Sequence, residues 1–396
     1  MIHYLFIFSL LMTGTRYPTV DEITEYQRDK ISEVRSRLGD LAVKYPEILT
    51  DFTILRWLMG WDYSVDVIIP KILNSIEVPR SLKLQNLPLM TYEEVNIYMI
   101  TQYPSLKYFP GGIMSEDREG NLVYYHAFGH ISPKTIMKCM PMSQLFKACI
   151  TEAELMTKLI RANEAKNNRK LACKVVVDFD GFSMEHLYTQ LVQIYLVLAT
   201  ISQDLYADYG RVIYIINQPR MMAVVYAIIS PVLSKQSKEK IKFLGDNWRA
   251  VLCDDFGPEN VYPEWGGTKP VPENPNAYLT PGGPVPKELW YDAKSNPVEG
   301  KLITLIVNAR SKELVRIEGK KGQKLKWFFR VNSGDIDFSV ESDDHKVYPV
   351  LRSSTYFHPE MDSIICEHGG EYRFVFSNEH ALIFSKEIKY FIELID

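Results

Sequence analysis

Two short segments limit the folds open to this chain more than anything else in it. "CKVVVDFDG" (173–181) and "RVIYIIN" (211–217) are near-continuous apolar runs of strand length. A strand with one wet face would alternate apolar with polar residues instead. Between them, "MEHLYTQLVQIYLVLATIS" has the length and apolar density of a helix. Strand, helix, strand, with both strands apolar on both faces, predicts a largely parallel sheet covered on each side, an α/β layer. "NLVYYHAFG" (121–129) reads as a further strand. Upstream, residues 21–75 read as helical. Ile31, Val34, Leu38 and Leu41 recur at helical spacing, and "DFTILRWLMGWDYSVDVIIPKIL" offers Asp51 as the N-cap of a second apolar-faced helix.

From Thr268 the texture changes. "TKPVPENPNAYLTPGGPVP" is rich in Pro, Gly and Asn and reads as a linker. Strict alternation follows: Leu325, Trp327, Phe329 and Val331 share one face of a strand, Ile336, Phe338 and Val340 one face of the next, and Tyr372, Phe374 and Phe376 one face of a third. Turn signals at Ser333-Gly334 and Gly369-Gly370 separate these runs, which predicts a small antiparallel β-sandwich. The 396 residues are long for a single core and fit this division.

The formal net charge of −4 gives no general attraction to nucleic acid or acidic membranes. Five scattered cysteines (139, 149, 173, 253 and 366), with no CxxC or Cys/His spacing, argue against a disulfide framework and a structural zinc site. No Gly-x-Ser-x-Gly elbow, Walker loop, dinucleotide fingerprint or His-Glu-x-x-His is present. The sharpest catalytic candidate is "VVVDFDG", where Asp178 and Asp180 close a buried strand as the carboxylate pair of a magnesium-dependent phosphatase would. The downstream acidic motif that such an enzyme needs is incomplete, since Gly245-Asp246 is followed by Ala250. His186 in "SMEHL" reads as structural or solvated before it reads as a general base, and the basic "GKKGQKLKWFFR" as a solvated sheet face. No catalytic residue, cofactor or metal is assigned, and a binding protein is the default.

Two apolar stretches remain. Met221–Leu233 is apolar all round a helix, broken only by Tyr226 and Ser230, and is followed by the polar "SKQSKEK". It is too short to span a bilayer, which takes ~20 residues. It is either a core helix, a movable wall of an apolar pocket, or a surface that touches membrane. The run Tyr4–Met12 in "MIHYLFIFSLLMTGT" reads as an apolar extension, or as the core of a signal peptide without the usual preceding Lys or Arg.

"ISQDLYADYGRVIYIINQP", the apolar helix, and then "KEKIKFLGDNWRAVLCDDFGPENVYPEWGGT" resemble the C-terminal half of a CRAL-TRIO lipid-binding domain. The ending "FLGDNW…VYPEWGGT" is particularly specific. "DFTILRWLMGWDYSVDVIIPKIL" resembles the small helical domain that precedes it in the family, and "GGPVPKELWY" with "GGEYRFVFSNEHALIFSKEIKYFIEL" resembles a GOLD domain. The resemblance implies a helical domain over 21–80, the lipid-binding domain over 86–268, a linker over 269–289 and a GOLD sandwich over 290–396, and leaves the apolar extension or signal-like segment over 1–20 unexplained.

It also implies that Met221, Met222, Val225, Ile228, Ile229 and Val232 form the gate of a hydrophobic cavity, exchanging one lipid at a membrane and closing over it in solution. Tyr124 matches a ligand-contacting tyrosine. The acid and base that hold the inositol end of phosphatidylinositol fall at Asp208 and Lys240. Other headgroup positions depart from the pattern. The basic element of the helical domain is "MGWDY" here (Met59–Tyr63), with Asp62 where a phosphate-binding Lys would stand. The polar pair of phosphatidylcholine binders is Cys173 and Val175. A tocopherol, retinoid or sterol precursor therefore fits as well as a phospholipid. The expected partners are a hydrophobic lipid, a transient membrane surface and a protein bound through the GOLD domain, with no nucleic acid. The expected location is cytoplasmic and peripheral at membranes, or secreted if the N-terminal run is a signal peptide. A lipid-regulated adaptor is the alternative function.

Overall fold

A computed structural model describes residues 15–343 and 345–396. The run Tyr4–Met12 lies outside them. The first helix, α1 (Glu25–Leu38), opens with a reciprocal cap in which the Thr24 hydroxyl accepts from the Gln27 N–H and the Gln27 side chain accepts from the Thr24 N–H. Ile31, Val34 and Leu38 are buried at the expected spacing, and the helix ends at Gly39 in the left-handed region (φ 53°), so Leu41 belongs to the next turn. α2 (Asp51–Gly60) is capped by Thr50 rather than Asp51. The Thr50 hydroxyl accepts from the Thr53 N–H at 3.2 Å, while Asp51, the first helical residue, pairs with Arg35 at 2.6 Å beside the positive helix end. α3 (Val65–Ser81) completes this helical lobe and runs through both Pro70 and Pro79.

α4 (Tyr92–Gln102) leads into a five-stranded sheet of β1 (Gly111–Glu116), β2 (Leu122–His126), β3 (Cys173–Asp178), β4 (Gly210–Ile216) and β5 (Ile241–Phe243), in that spatial order. β1 and β2 form an antiparallel hairpin, and β2 to β5 run parallel. The crossovers carry α5 (Met142–Asn167), α6 (Thr189–Leu205) and α7 (Met222–Ile229), and α8 (Trp248–Phe256) follows β5. This is the α/β layer expected from the two apolar runs.

Eight antiparallel strands follow: β6 (Ile303–Val307), β7 (Lys312–Gly319), β8 (Lys324–Val331), β9 (Ile336–Ser342), β10 (His345–Ser353), β11 (Glu360–Ile365), β12 (Gly370–Ser377) and β13 (Lys386–Ile395). They form two four-stranded sheets, β10-β9-β12-β7 and β11-β8-β13-β6. The alternating residues of β8, β9 and β12 are buried between the sheets, with Phe338 at 4.8 Å from Phe329, 5.1 Å from Phe376 and 5.6 Å from Trp327, ring centre to ring centre.

The Pro- and Gly-rich stretch between the two parts is a strap rather than a free linker. Thr280 and Gly111 exchange backbone hydrogen bonds at 2.9 and 3.0 Å, Asn96 donates to the Ala277 carbonyl, and Val285 N–H donates to the Thr135 hydroxyl. Its prolines cannot donate to a ladder, but several of its carbonyls and N–H groups are taken up by the first part. The two parts also share one core, in which Met137, Met140, Met142, Leu145 and Phe146 join the sandwich aromatics. The sandwich even caps α5. Pro141 at the N-cap offers no side-chain acceptor, and the buried carboxyl group of Glu360 accepts from the Ser143 N–H at 3.1 Å instead. One residue pair further on, Lys147 bonds Asp362.

Candidate functional site

The central strand β3 buries its two faces unequally. Val176 packs with Val123, Tyr125, Val212 and Tyr214 into a core closed by Trp248, Leu252 and Phe256 of α8. Its neighbours Val175 and Val177 point to the opposite face and remain half-buried. Register extends that face across the sheet. Tyr124 pairs with Val175, Val175 with Ile213 and Ile213 with Ile241, and one step along His126 pairs with Val177. All of these are half-buried, although β3 has strands on either side and α5, α6 and α7 lie in the crossovers. A central parallel strand whose apolar side chains keep accessible surface is incompletely covered on that face, and Val175 and Val177 pack only at the edges of two apolar clusters. The α6 residues Tyr195, Val197, Leu198 and Ile201 are likewise apolar in character and only half-buried.

The floor of this space carries one polar pair. Tyr124 OH donates to Glu152 Oε2 of α5 at 3.1 Å. Burial pushes the Glu152 carboxyl up to about 7 and the Cys149 thiol, one turn away, up to about 12. Burial also pulls His126 down to about 4, against a bond to the Pro110 carbonyl. The Tyr195 hydroxyl is buried without a hydrogen-bond partner among the described residues. A small cavity of about 40 Å³, lined by Tyr124, Cys149, Glu152, Asn96 and Met99, opens beside the pair. These groups form a hydrogen-bonding spot in apolar surroundings, where burial opposes ionisation of Glu152 and which suits a hydroxyl or carbonyl.

α7 lies over the edge of the floor. Val225 is buried against Phe179 and Ile215, with Met222 half-buried in the same cluster. Met221, Ile228 and Ile229 are half-buried, while Val224 is 51% exposed and Ala223 and Ala227 face outward. The predicted single helix to Leu233 is broken. α7 stops at Ile229, and Val232 falls in a tight turn, Ser230–Val232, because Pro231 has no N–H to continue the helix. Both ends of the segment are tied by side-chain amides. Asn217, at φ 50°, donates to Asp178 Oδ1 at 2.8 Å, and Gln218 donates to the Leu244 carbonyl. At the far end, Gln203 of α6 donates to the Val232 carbonyl at 2.8 Å and accepts from the Ser234 N–H at 3.0 Å.

Asp208 and Lys240 do come together, at 2.7 Å, but inside a larger ion cluster. The Asp208 side chain is 1% exposed and also bonds Lys170, at 2.9 Å, and Arg16. Burial alone would raise its pKa. The three cations outweigh burial and hold the carboxylate below its ordinary range. Lys170 is lowered to about 8 by burial, against the pull of Asp208. Asp62, at the rim, accepts from Gln236. Asp208 therefore has its oxygens engaged by three cations, and Lys240 faces inward to it and to the Gly210 carbonyl.

The candidate phosphatase pair is not assembled. Asp178 is buried and spends its oxygens on Tyr125 OH, Asn217 and the Asp180 N–H, while the Asp180 side chain is exposed near His130. Among the described residues no group of three or more His, Cys, Asp or Glu could hold a metal ion. His186 is buried, accepts at Nδ1 from the Ser183 N–H and stacks on Phe182. Sequence reasoning missed Glu152, Lys170, Arg16 and Gln203. Nothing in "CITEAEL" marks Glu152 until β2 places Tyr124 against it.

Residues 106–267, which hold the floor, the polar pair, α7 and both Asp208 and Lys240, match the sequence profile of the CRAL/TRIO domain. Protein ctg-1 of Caenorhabditis elegans is 22% identical over 377 residues, 91% of this chain and 96% of that protein. Protein real-time of Anopheles gambiae is 27% identical over 232 residues, 57% of this chain and 32% of that protein, and its namesake of Drosophila melanogaster is 24% identical over 286 residues, 71% and 40% respectively. The alignments thus span almost all of ctg-1 but less than half of the real-time proteins. The crystal structure of Sfh5 covers 64% of this chain and 95% of its own, at 12% identity and a TM-score of 0.46.

Proposed function

Residues 106–267 form a CRAL/TRIO domain, a lipid-binding fold, and from this premise we propose that the protein takes one hydrophobic lipid between the sheet floor and α6–α7 and carries or presents it between membranes. The observation that carries the reading is the contrast across β3, fully packed at Val176 and only half-covered at Val175 and Val177. A lipid tail in such a space gains roughly 0.8 kcal/mol per methylene. α7 is the gate. Swinging it out would expose Met222, Val225, Ile228 and Ile229, which only a bilayer would accept. Tyr124 and Glu152 favour a lipid whose polar end is uncharged, of the tocopherol, retinoid or sterol-precursor kind. A phosphatidylinositol-like ligand would instead need Asp208 and Lys240 to leave their ion cluster. The activity is binding and transport rather than catalysis. On this reading the protein works in the cytoplasm, peripherally at membranes. Among the described residues no helix is long and apolar enough to cross a membrane.

The test is transfer of labelled tocopherol, retinol, phosphatidylinositol and phosphatidylcholine from donor to acceptor vesicles by the full chain. Transfer of a neutral lipid, abolished by Val175→Phe, is the expected result. No transfer of any class would sink the proposal, and turnover of a phosphomonoester lost in Asp178→Asn would replace it with an enzyme. One observation favours a second reading, a lipid-regulated adaptor acting through a GOLD-like sandwich. α5 carries Glu152 into the cavity and is capped by Glu360 of the sandwich. Hydrogen exchange that changes over β11 on lipid loading would support the adaptor, and exchange unchanged there would remove it.

A further inference from the structure

The loop between β12 and β13 carries Leu382, Ile383 and Phe384 at 73, 77 and 75% exposure. Three consecutive large apolar side chains standing in solvent are not normal surface scatter. The loop is held firmly. Asn378, fully buried, donates its amide to the Phe384 carbonyl at 2.9 Å and to the Val307 and Asn308 carbonyls at 3.3 Å, and its own N–H to the Ser311 carbonyl at 2.8 Å. Ser385 adds a bond to Asn308. The tip is thus displayed on a fixed frame.

Three cations close to the tip are free of ion pairs among the described residues: Arg310 on the neighbouring β6–β7 turn and Lys312 at the start of β7, both exposed, and Lys386. Of the acids at this end, Asp337 is paired with Arg352 and Asp335 accepts from His380 at 2.9 Å, while Glu379 accepts from the Ser377 hydroxyl and keeps its charge. Contacts at intervals along the sandwich run from here toward the start of α6. Lys386 bonds the Ser333 carbonyl, Val331 bonds Thr355, and Phe357 meets Tyr188 ahead of α6, beside Leu187 of the Val225 cluster. Exposed Tyr356 and Met184 lie along that path.

We propose that Leu382–Phe384 is a membrane-insertion tip, entering an anionic bilayer with Arg310, Lys312 and Lys386 at headgroup level and giving the protein a second foothold in addition to the gate. A protein partner is the poorer fit. A stable protein interface takes ~800 Å² per side, and three side chains on a convex tip offer only a few hundred Å². The combination of inserted apolar residues and flanking cations is what interfacial binding uses. The inference rests on the sandwich and holds whichever lipid fills the cavity.

Flotation of the full chain with phosphatidylcholine vesicles, with and without phosphatidylserine, tests it. The triple variant Leu382→Ser/Ile383→Ser/Phe384→Ser is expected to lose about 10-fold or more in partitioning, with thermal midpoint and cavity loading unchanged. Arg310→Gln/Lys312→Gln is expected to lose only the phosphatidylserine-dependent, salt-sensitive part. Independently, Ile383→Trp should gain a blue-shifted emission component quenched by brominated lipids. Wild-type protein that ignores anionic vesicles, a folded triple variant that binds them undiminished, or an Ile383→Trp signal indifferent to vesicles would each overturn the proposal. Loss of a dimer in the triple variant without loss of vesicle binding would make the tip a self-association surface instead.

Discussion

Val175 and Val176 are neighbours on one strand, and their replacement by phenylalanine separates a cavity from a core. Val176 has no accessible surface and is enclosed by Tyr214, Trp248 and Phe256 among others. Adding a ring there overpacks a filled space and is expected to cost roughly 1–3 kcal/mol. At about 2–4 °C per kcal/mol for a domain of this size, the thermal midpoint of Val176→Phe should fall by about 2–12 °C. Val175 faces the open side, level with Tyr124 and Ile213. Val175→Phe has room, so the delipidated variant should stay within ~0.5 kcal/mol of wild type while its capacity for lipid falls. The assay is calorimetry of both variants after lipid extraction, beside lipid loading measured on the same preparations. Equal destabilisation by the two substitutions would mean that the Val175 face is packed, and the cavity would have to be abandoned.

Glu152 and Asp208 should show opposite pH dependence. Glu152 has its folded pKa raised by burial from an ordinary 4.5 to about 7, so it costs nothing below about pH 4 and destabilises increasingly as pH rises to 7, by at most ~3 kcal/mol. Glu152→Gln should therefore gain stability relative to wild type at pH 8 and not at pH 4, as read in urea titrations; a pH-independent difference would place Glu152 in solvent. Asp208, whose folded pKa is lowered, contributes above the ordinary carboxylate range and loses that contribution as pH falls through its folded value. Asp208→Asn leaves Arg16, Lys170 and Lys240 facing one another and should cost about 3–5 kcal/mol at neutral pH, partly restored by adding Lys170→Met; a neutral outcome would show that the cluster is solvated. Gln203→Leu removes both amide bonds to the gate's far end, and hydrogen exchange over Val232–Gln236 should quicken along with lipid exchange between vesicles. Unchanged exchange there would mean that the amide is not a latch.

What could be read in the sequence was whatever burial writes into periodicity. The runs at 173–181 and 211–217 became β3 and β4, and the alternating residues of β8, β9 and β12 fill the sandwich interior, because a side chain's face follows from its position in the repeat. β5 was invisible at three residues. Val175 and Val176 look alike in a run of valines, and only the crossover helices decide which face is filled. Pro231 could have announced the end of α7, since a proline cannot extend a helix donor ladder. Thr50 and Asp51 are equally good caps on paper. Glu152 is paired with a tyrosine 28 residues before it, and Asp208 with Arg16 192 residues before it. Such pairs arise from topology and leave no local pattern. The strap over 268–290 has linker composition because its order is supplied by partners elsewhere, such as Gly111 and Thr135.

The most direct test of the central claim is native mass spectrometry of the purified full chain, with lipid identification after dissociation. The account expects a single neutral lipid per chain, lost in Val175→Phe and retained in Val176→Phe to the extent that this variant folds. A chain that carries no lipid after exposure to cellular extract, or that holds lipid equally well with phenylalanine at 175, would contradict it.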